Sequence, residues 1–206
     1  MREGGTLHPQ LRAIEQELAA ATTRAARLVD RTVEEAFHRP PAVGQWSIAE
    51  CLGHLSLTTR AYLPLIDDAL QIGRLIGGRR PTRYRRDLAG WVLCRISEPP
   101  YRLKTTTRPR FVPANRGTRA EVLAEFVALQ QELTIRVHRA EGLDLGRLPI
   151  VSPFDGRLEY SLYSCFRIIP THQRRHLWQG EQVERRLAEG TVGDSAAGLR
   201  LAQSTD

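Results

Sequence analysis

Apolar side chains recur at Leu11, Ile14, Leu18, Ala25, Leu28, Val29, Val33 and Ala36, the spacing of one helical face, and predict a first helix over Pro9 to Phe37. Pro40 and Pro41 end it, because the ring removes a backbone donor and clashes with the preceding turn. The stretch WSIAE announces a second helix: Ser47 suits the N-cap, Glu50 completes a capping box, and Trp46 can staple onto Cys51. This helix is expected to run to about Leu70 or Ile76, kinked at Pro64. Thr118 and Glu121 form another capping box and open a third helix, striped by Val122, Phe126, Leu129, Leu133 and Val137, with Gly142 as its stop. After a turn at Asp155 and Gly156, a fourth helix is predicted from about Leu158 to Ala188. Its stripe is Leu162, Phe166, Ile169, Val183 and Leu187, and Pro170 is expected to kink it. Four long amphipathic helices indicate an all-α fold, a four-helix bundle.

The pattern lapses between the second and third helices. Local helical potential survives around Leu88 to Ile96, and an irregular stretch follows, SEPPYRLKTTTRPRFVPANRG. Charge marks the same segment. From Arg79 to Arg110 there are ten basic residues against Asp87 and Glu98, a net +8 in a chain of net +7, so the remainder sums to −1. A near-neutral bundle over residues 1–190 is therefore expected to carry a basic insert at 79–117, followed by a disordered tail, 191–206, with little to bury.

Composition narrows the class further. With 206 residues, 41% hydrophobic and 26% charged, the chain has the make-up of one globular domain. No run approaches the ~20 apolar residues of a membrane span, and the first residues hold no secretory apolar stretch, which points to a cytoplasmic location. Cys51, Cys94 and Cys165 are odd in number and widely spaced, so free buried thiols are expected rather than disulfides or a zinc knuckle.

Candidate chemistry sits in THQRRHLWQ, Thr171 to Gln179, where two histidines stand four residues apart. At about 100° per residue, His172 and His176 fall within the apolar stripe of the fourth helix. His54 faces inward from the second helix, whereas His8, His38 and His138 lie off the core stripes. Two core histidines bonded to backbone carbonyls, or to Tyr160 or Tyr163, are one reading of the pair. The other is a metal site with one ligand from the second helix and two from the fourth, open-coordinated as catalytic metals are. Glu50, one turn before His54, is the candidate catalytic residue, as a base or as the group that orients the imidazole, although its capping box explains it equally well. Gln179 lies near the same face.

GQWSIAECLGHL, SPFDGRLEY and IIPTHQRRHLWQ, in that order over most of Trp46 to Gln179, resemble the DinB-like superfamily of four-helix-bundle metalloproteins. That superfamily includes bacillithiol- and mycothiol-dependent transferases and proteins regarded as metal-dependent hydrolases. The resemblance implies that His54, His172 and His176 form a metal-binding triad, with zinc or nickel the expected ion. It implies hydrolase or thiol S-transferase activity on a small molecule, a low-molecular-weight thiol among the candidates, and leaves a homodimer open. Two other readings stand beside it. The arginine-rich insert, with Tyr84, Trp91 and Tyr101 to stack on bases, could bind nucleic acid or another anion. The bundle could also hold metal without catalysing anything.

Overall fold

The computed structural model describes residues 6–78, 80–100, 107–114 and 116–202, with side chains to residue 189. Arg79, Tyr101, Arg102 and Lys104 of the basic segment, and residues 203–206, lie outside the described residues.

Among the described residues there are six α-helices: α1 (Pro9–Arg31), α2 (Glu34–Phe37), α3 (Ile48–Ile76), α4 (Leu88–Ser97), α5 (Arg119–Arg139) and α6 (Leu162–Ala202). Helices α1 and α3 each pack against both α5 and α6, which makes these four the bundle, and α4 lies on the outside of α6. The stripes anticipated from the sequence are buried, except that Val33, beyond the end of α1, is 62% exposed and Ala36 and Leu187 are only partly buried. Leu11, Ile14 and Leu18 of α1 cluster with Leu133 of α5 and with Leu162 and Phe166 of α6, and Leu28 of α1 belongs to a second cluster with Phe126 of α5 and Leu177 of α6. Each large side chain of this kind contributes about 1.5–3 kcal/mol on burial. The capping boxes Ser47/Glu50 and Thr118/Glu121 both form, setting the starts of α3 and α5.

Three local expectations are corrected. The first helix does not continue to Phe37. It stops at Arg31, Thr32 adopts an extended backbone with its hydroxyl donating to the Leu28 carbonyl, and the short α2 then turns Phe37 into the core. The fourth helix begins at Leu162, because residues before it form an antiparallel pair, β1 (Pro149–Val151) with β2 (Glu159–Ser161). The backbone of α6 runs to Ala202. Tyr84, a candidate for stacking on bases, is buried against the rings of His8 and Tyr163.

That burial shows how the basic segment is attached. The Tyr84 N–H donates to Gln10 Oε1 at 2.7 Å, Gln10 Nε2 donates back to the Tyr84 carbonyl at 3.1 Å, and the Tyr84 hydroxyl donates to the Leu143 carbonyl at 2.7 Å. His8, which accepts from the Gln10 N–H as the cap of α1, has its other ring nitrogen 3.2 Å from the Thr82 carbonyl. Helix α4 approaches α6 closely at Gly90, where a Cβ would overlap the Ser164 side chain. All three cysteines are buried and free. Among the described residues no helix is long and apolar enough to cross a membrane.

Candidate metal centre

His54 sits in the second turn of α3, so the capping box at Ser47 fixes the direction from which it enters the bundle. His172 and His176 share one face of α6 at a four-residue spacing, which stacks them on successive turns. The residue between them that faces another way, Gln173, forms a buried reciprocal amide pair with Gln130 of α5, at 3.0 and 2.8 Å. Arg174 binds Glu17 of α1 and Glu98 just beyond α4. These contacts leave α6 little freedom to rotate, and rotation is what would turn the histidines away from α3.

One ring nitrogen from each of His54, His172 and His176 lies within 4.8 Å of the others, and among the described residues no carboxylate or thiol joins the group. The tautomers follow from the outer partners. His54 Nδ1 is 2.8 Å from the Phe111 carbonyl, an oxygen that can only accept, so Nδ1 carries the proton and Nε2 presents a lone pair. His176 Nδ1 is 3.1 Å from Gln179 Oε1, and the same logic frees its Nε2. His54 Nε2 and His172 Nε2 are 3.3 Å apart. Two nitrogens at about 2.0–2.1 Å from one ion and at a tetrahedral angle would be separated by about 3.3 Å, so the donor set fits a divalent metal.

Aromatic rings enclose the group. Trp46 lies 4.9 Å from the His54 ring and 5.8 Å from that of His176; Phe154, from the loop between β1 and β2, lies 5.8 Å from His172 and 4.7 Å from Phe111. His54 is 3% exposed and His176 8%, so the opening lies on the side of the half-buried His172. Burial lowers the pKa of all three imidazoles, and the Arg175 charge lowers each further. At His54 the Phe111 carbonyl opposes the shift in part. The three are therefore neutral, ligand-ready donors at neutral pH.

The other residues singled out from the sequence are elsewhere engaged. Glu50 stands outside the cluster, its Oε2 accepting from the Ser47 N–H at 2.7 Å, and the orientation of His54 falls to Phe111. His138 pairs with Glu15 on the surface. Neither Tyr160 nor Tyr163 partners the triad: Tyr160 bonds Tyr62 at 2.6 Å and Tyr163 accepts from Gln10. Cys51 and Cys165 are buried thiols whose pKa burial raises, which removes them as thiolate donors. Phe111 and Phe154 were not anticipated; an isolated phenylalanine inside PRFVP, otherwise basic and proline-bounded, was the available signal for the first.

No curated protein and no solved structure matches the chain significantly. A family model described as the DinB superfamily matches residues 17–179, a span that contains His54, His172 and His176. On that match, and with the helical bundle in place around it, the chain belongs to the DinB superfamily.

Proposed function

We propose that this chain is a metal-dependent thiol S-transferase, joining a low-molecular-weight thiol to a small electrophile at the His54, His172 and His176 centre, with zinc or nickel as the resident ion. The observation that carries the reading is the donor set: three neutral imidazoles with no anionic ligand among the described residues. A divalent ion held this way keeps its full charge and open positions, and supplies a Lewis acid that lowers the pKa of a thiol or a water.

The chain's own residues do the rest. Phe111 and Gln179 hold two of the rings in one tautomer, the Trp46, Phe111 and Phe154 rings limit water, and Arg175 adds positive charge that favours an anionic sulfur. A thiol, with an ordinary pKa of about 8.5, gives up its proton to solvent far more readily than water, at about 15.7, so attack by an ion-activated thiol depends least on a protein base and hydrolysis gains most from one. The nearest candidate base by sequence, Glu50, is committed to the cap of α3. Hydrolysis is the second reading and would recruit Glu50.

A paired assay separates the two. Metal-loaded protein is offered several low-molecular-weight thiols with a chromogenic aryl halide, and separately aryl esters, with Glu50→Gln alongside. Gln keeps an acceptor for the Ser47 N–H but cannot act as a base. Thioether formation with release of halide, abolished by chelation and changed less than about twofold in E50Q, is the expected result. Ester hydrolysis that falls by about 100-fold or more in E50Q would install the hydrolase reading instead. Metal-loaded protein inert in both assays would defeat the catalytic proposal.

A further inference from the structure

We propose that the end of the basic segment, Thr107 to Pro113, is a built part of the metal centre, seated on α3 at Gly53 so that the Phe111 carbonyl holds His54. This rests on the reading that the three histidines bind a metal, and it gives a role to a stretch whose charge alone suggested an external ligand.

Three contacts place the stretch. A 3-10 turn, Pro109–Phe111, closes with the Phe111 N–H donating to the Arg108 carbonyl at 2.9 Å and the Val112 N–H to the Pro109 carbonyl at 3.1 Å. That turn buries the Phe111 ring against Phe154 and aims its carbonyl at His54 Nδ1, 2.8 Å away. Two residues on, Pro113 lies so close to α3 that a Cβ at Gly53 would come within 2.9 Å of the Pro113 Cβ, inside van der Waals contact. Gly53 has no positive φ that would require glycine, and alanine is the better helix former at a helical position. Close approach is therefore the reason glycine suits the site. It is also the residue immediately before His54, so the seat of the segment and the ligand it orients occupy adjacent positions of one helix.

An outer hydrogen bond of this kind fixes the ring orientation and tautomer of a metal-ligating histidine, and its loss typically weakens metal affinity by about 10–100-fold. Gly53→Ala adds one methyl, leaves every ligand in place, and lifts Pro113 and with it Phe111. Pro113→Gly removes the atom that the methyl would strike, so the double variant G53A/P113G restores the space.

Two readouts are taken on the full chain. Zinc affinity is measured by competition with a chromogenic chelator, and the His54 Nδ1–H resonance is followed by NMR in metal-free protein, with far-ultraviolet circular dichroism to confirm the helices. The expected result is native helicity in G53A, zinc binding weakened about 10–100-fold, loss or shift of the Nδ1–H resonance, and recovery of both in the double variant to the level of P113G alone. Zinc affinity within twofold of the parent, an unchanged Nδ1–H resonance, or a double variant no better than G53A would overturn the proposal. A parent that takes up no zinc defeats the proposed function by itself. The resonance in metal-free protein then still decides whether Gly53 seats the segment on His54.

Discussion

Replacing His172 with alanine is expected to abolish tight metal binding, and so are His54→Ala and His176→Ala. Each removes one of three donors, and an ion left with two imidazoles competes poorly with buffer and water, so a loss of at least about 100-fold is expected in each variant. Metal content by mass spectrometry on protein purified without a histidine tag checks it: about one equivalent in the parent and little in any variant. A parent without metal after dialysis against zinc and nickel would remove the centre. Metal-free protein offers a second check. The folded pKa values lie below the ordinary histidine value, so in the unfolded chain the imidazoles take up protons first as pH falls. Stability is then full above about pH 6.5 and falls as pH drops toward the lower folded values, by up to about 1.4 kcal/mol per pH unit for each histidine. Denaturant midpoints from pH 7.5 to 5 should show this slope in the metal-free parent and a shallower one in H172A. Equal slopes would mean that the rings are not held neutral by burial.

Asp87→Ala is expected to cost as much stability as truncating a large buried side chain. Its Oδ1 accepts from the Gly90 N–H at 2.8 Å as the cap of α4, while Oδ2 accepts from the Ser161 N–H at 2.7 Å and from the Ser161 and Ser164 hydroxyls at 2.8 and 2.7 Å. One carboxylate thus joins the basic segment to the start of α6. Alanine leaves the Gly90 and Ser161 N–H groups without an acceptor, while the Ser161 hydroxyl keeps the Ser164 oxygen at 3.1 Å; at about 1–3 kcal/mol for each buried donor left unmet, a total of about 3–4 kcal/mol is expected by urea unfolding. Burial pushes the Asp87 carboxyl up, but the donors from Gly90, Ser161 and Ser164 outweigh it and hold the carboxyl below its ordinary value. The stabilisation is therefore complete above about pH 4 and is lost as pH falls through the lower folded value, so the gap between parent and D87A should be constant from pH 7 to 5 and narrow only in stronger acid. A gap under about 1 kcal/mol at neutral pH would show that the cluster relaxes around water.

The periodic parts of this fold were readable because burial imposes them. Leu11, Ile14 and Leu18 must recur at helical spacing to reach one core, and Ser47/Glu50 or Thr118/Glu121 must stand three apart to satisfy a helix start. The same phase argument selects His54, His172 and His176 from the sequence. The break at Thr32 was hidden because Val33 and Ala36 continue the apolar period past it, and the pair β1 and β2 because three residues per strand are too few to show alternation. Most instructive is Phe111. Its contact with His54 spans 57 residues and is made by a main-chain carbonyl, a group that every residue carries, so no choice of side chain announces it. The attachment of the basic segment is obscured in another way, since its arginines dominate the charge count while much of its hydrogen bonding to the bundle is made by Tyr84 with Gln10, by the Thr82 carbonyl with His8, and by the single carboxylate of Asp87.

The spacing of the donors along the chain has a consequence for folding energetics. His172 and His176 are supplied by successive turns of one helix, whereas His54 lies 118 residues before His172 and meets it only when α3 has docked on α6. An unfolded chain can offer an ion the local pair but not the triad. Metal binding is thereby linked to the native state, with a free energy set by ion concentration relative to the dissociation constant: about 4.1 kcal/mol at a thousandfold excess over that constant. For a bundle of ordinary stability that is a sizeable share of the total, so the melting temperature of this protein is expected to vary with the free zinc or nickel around it.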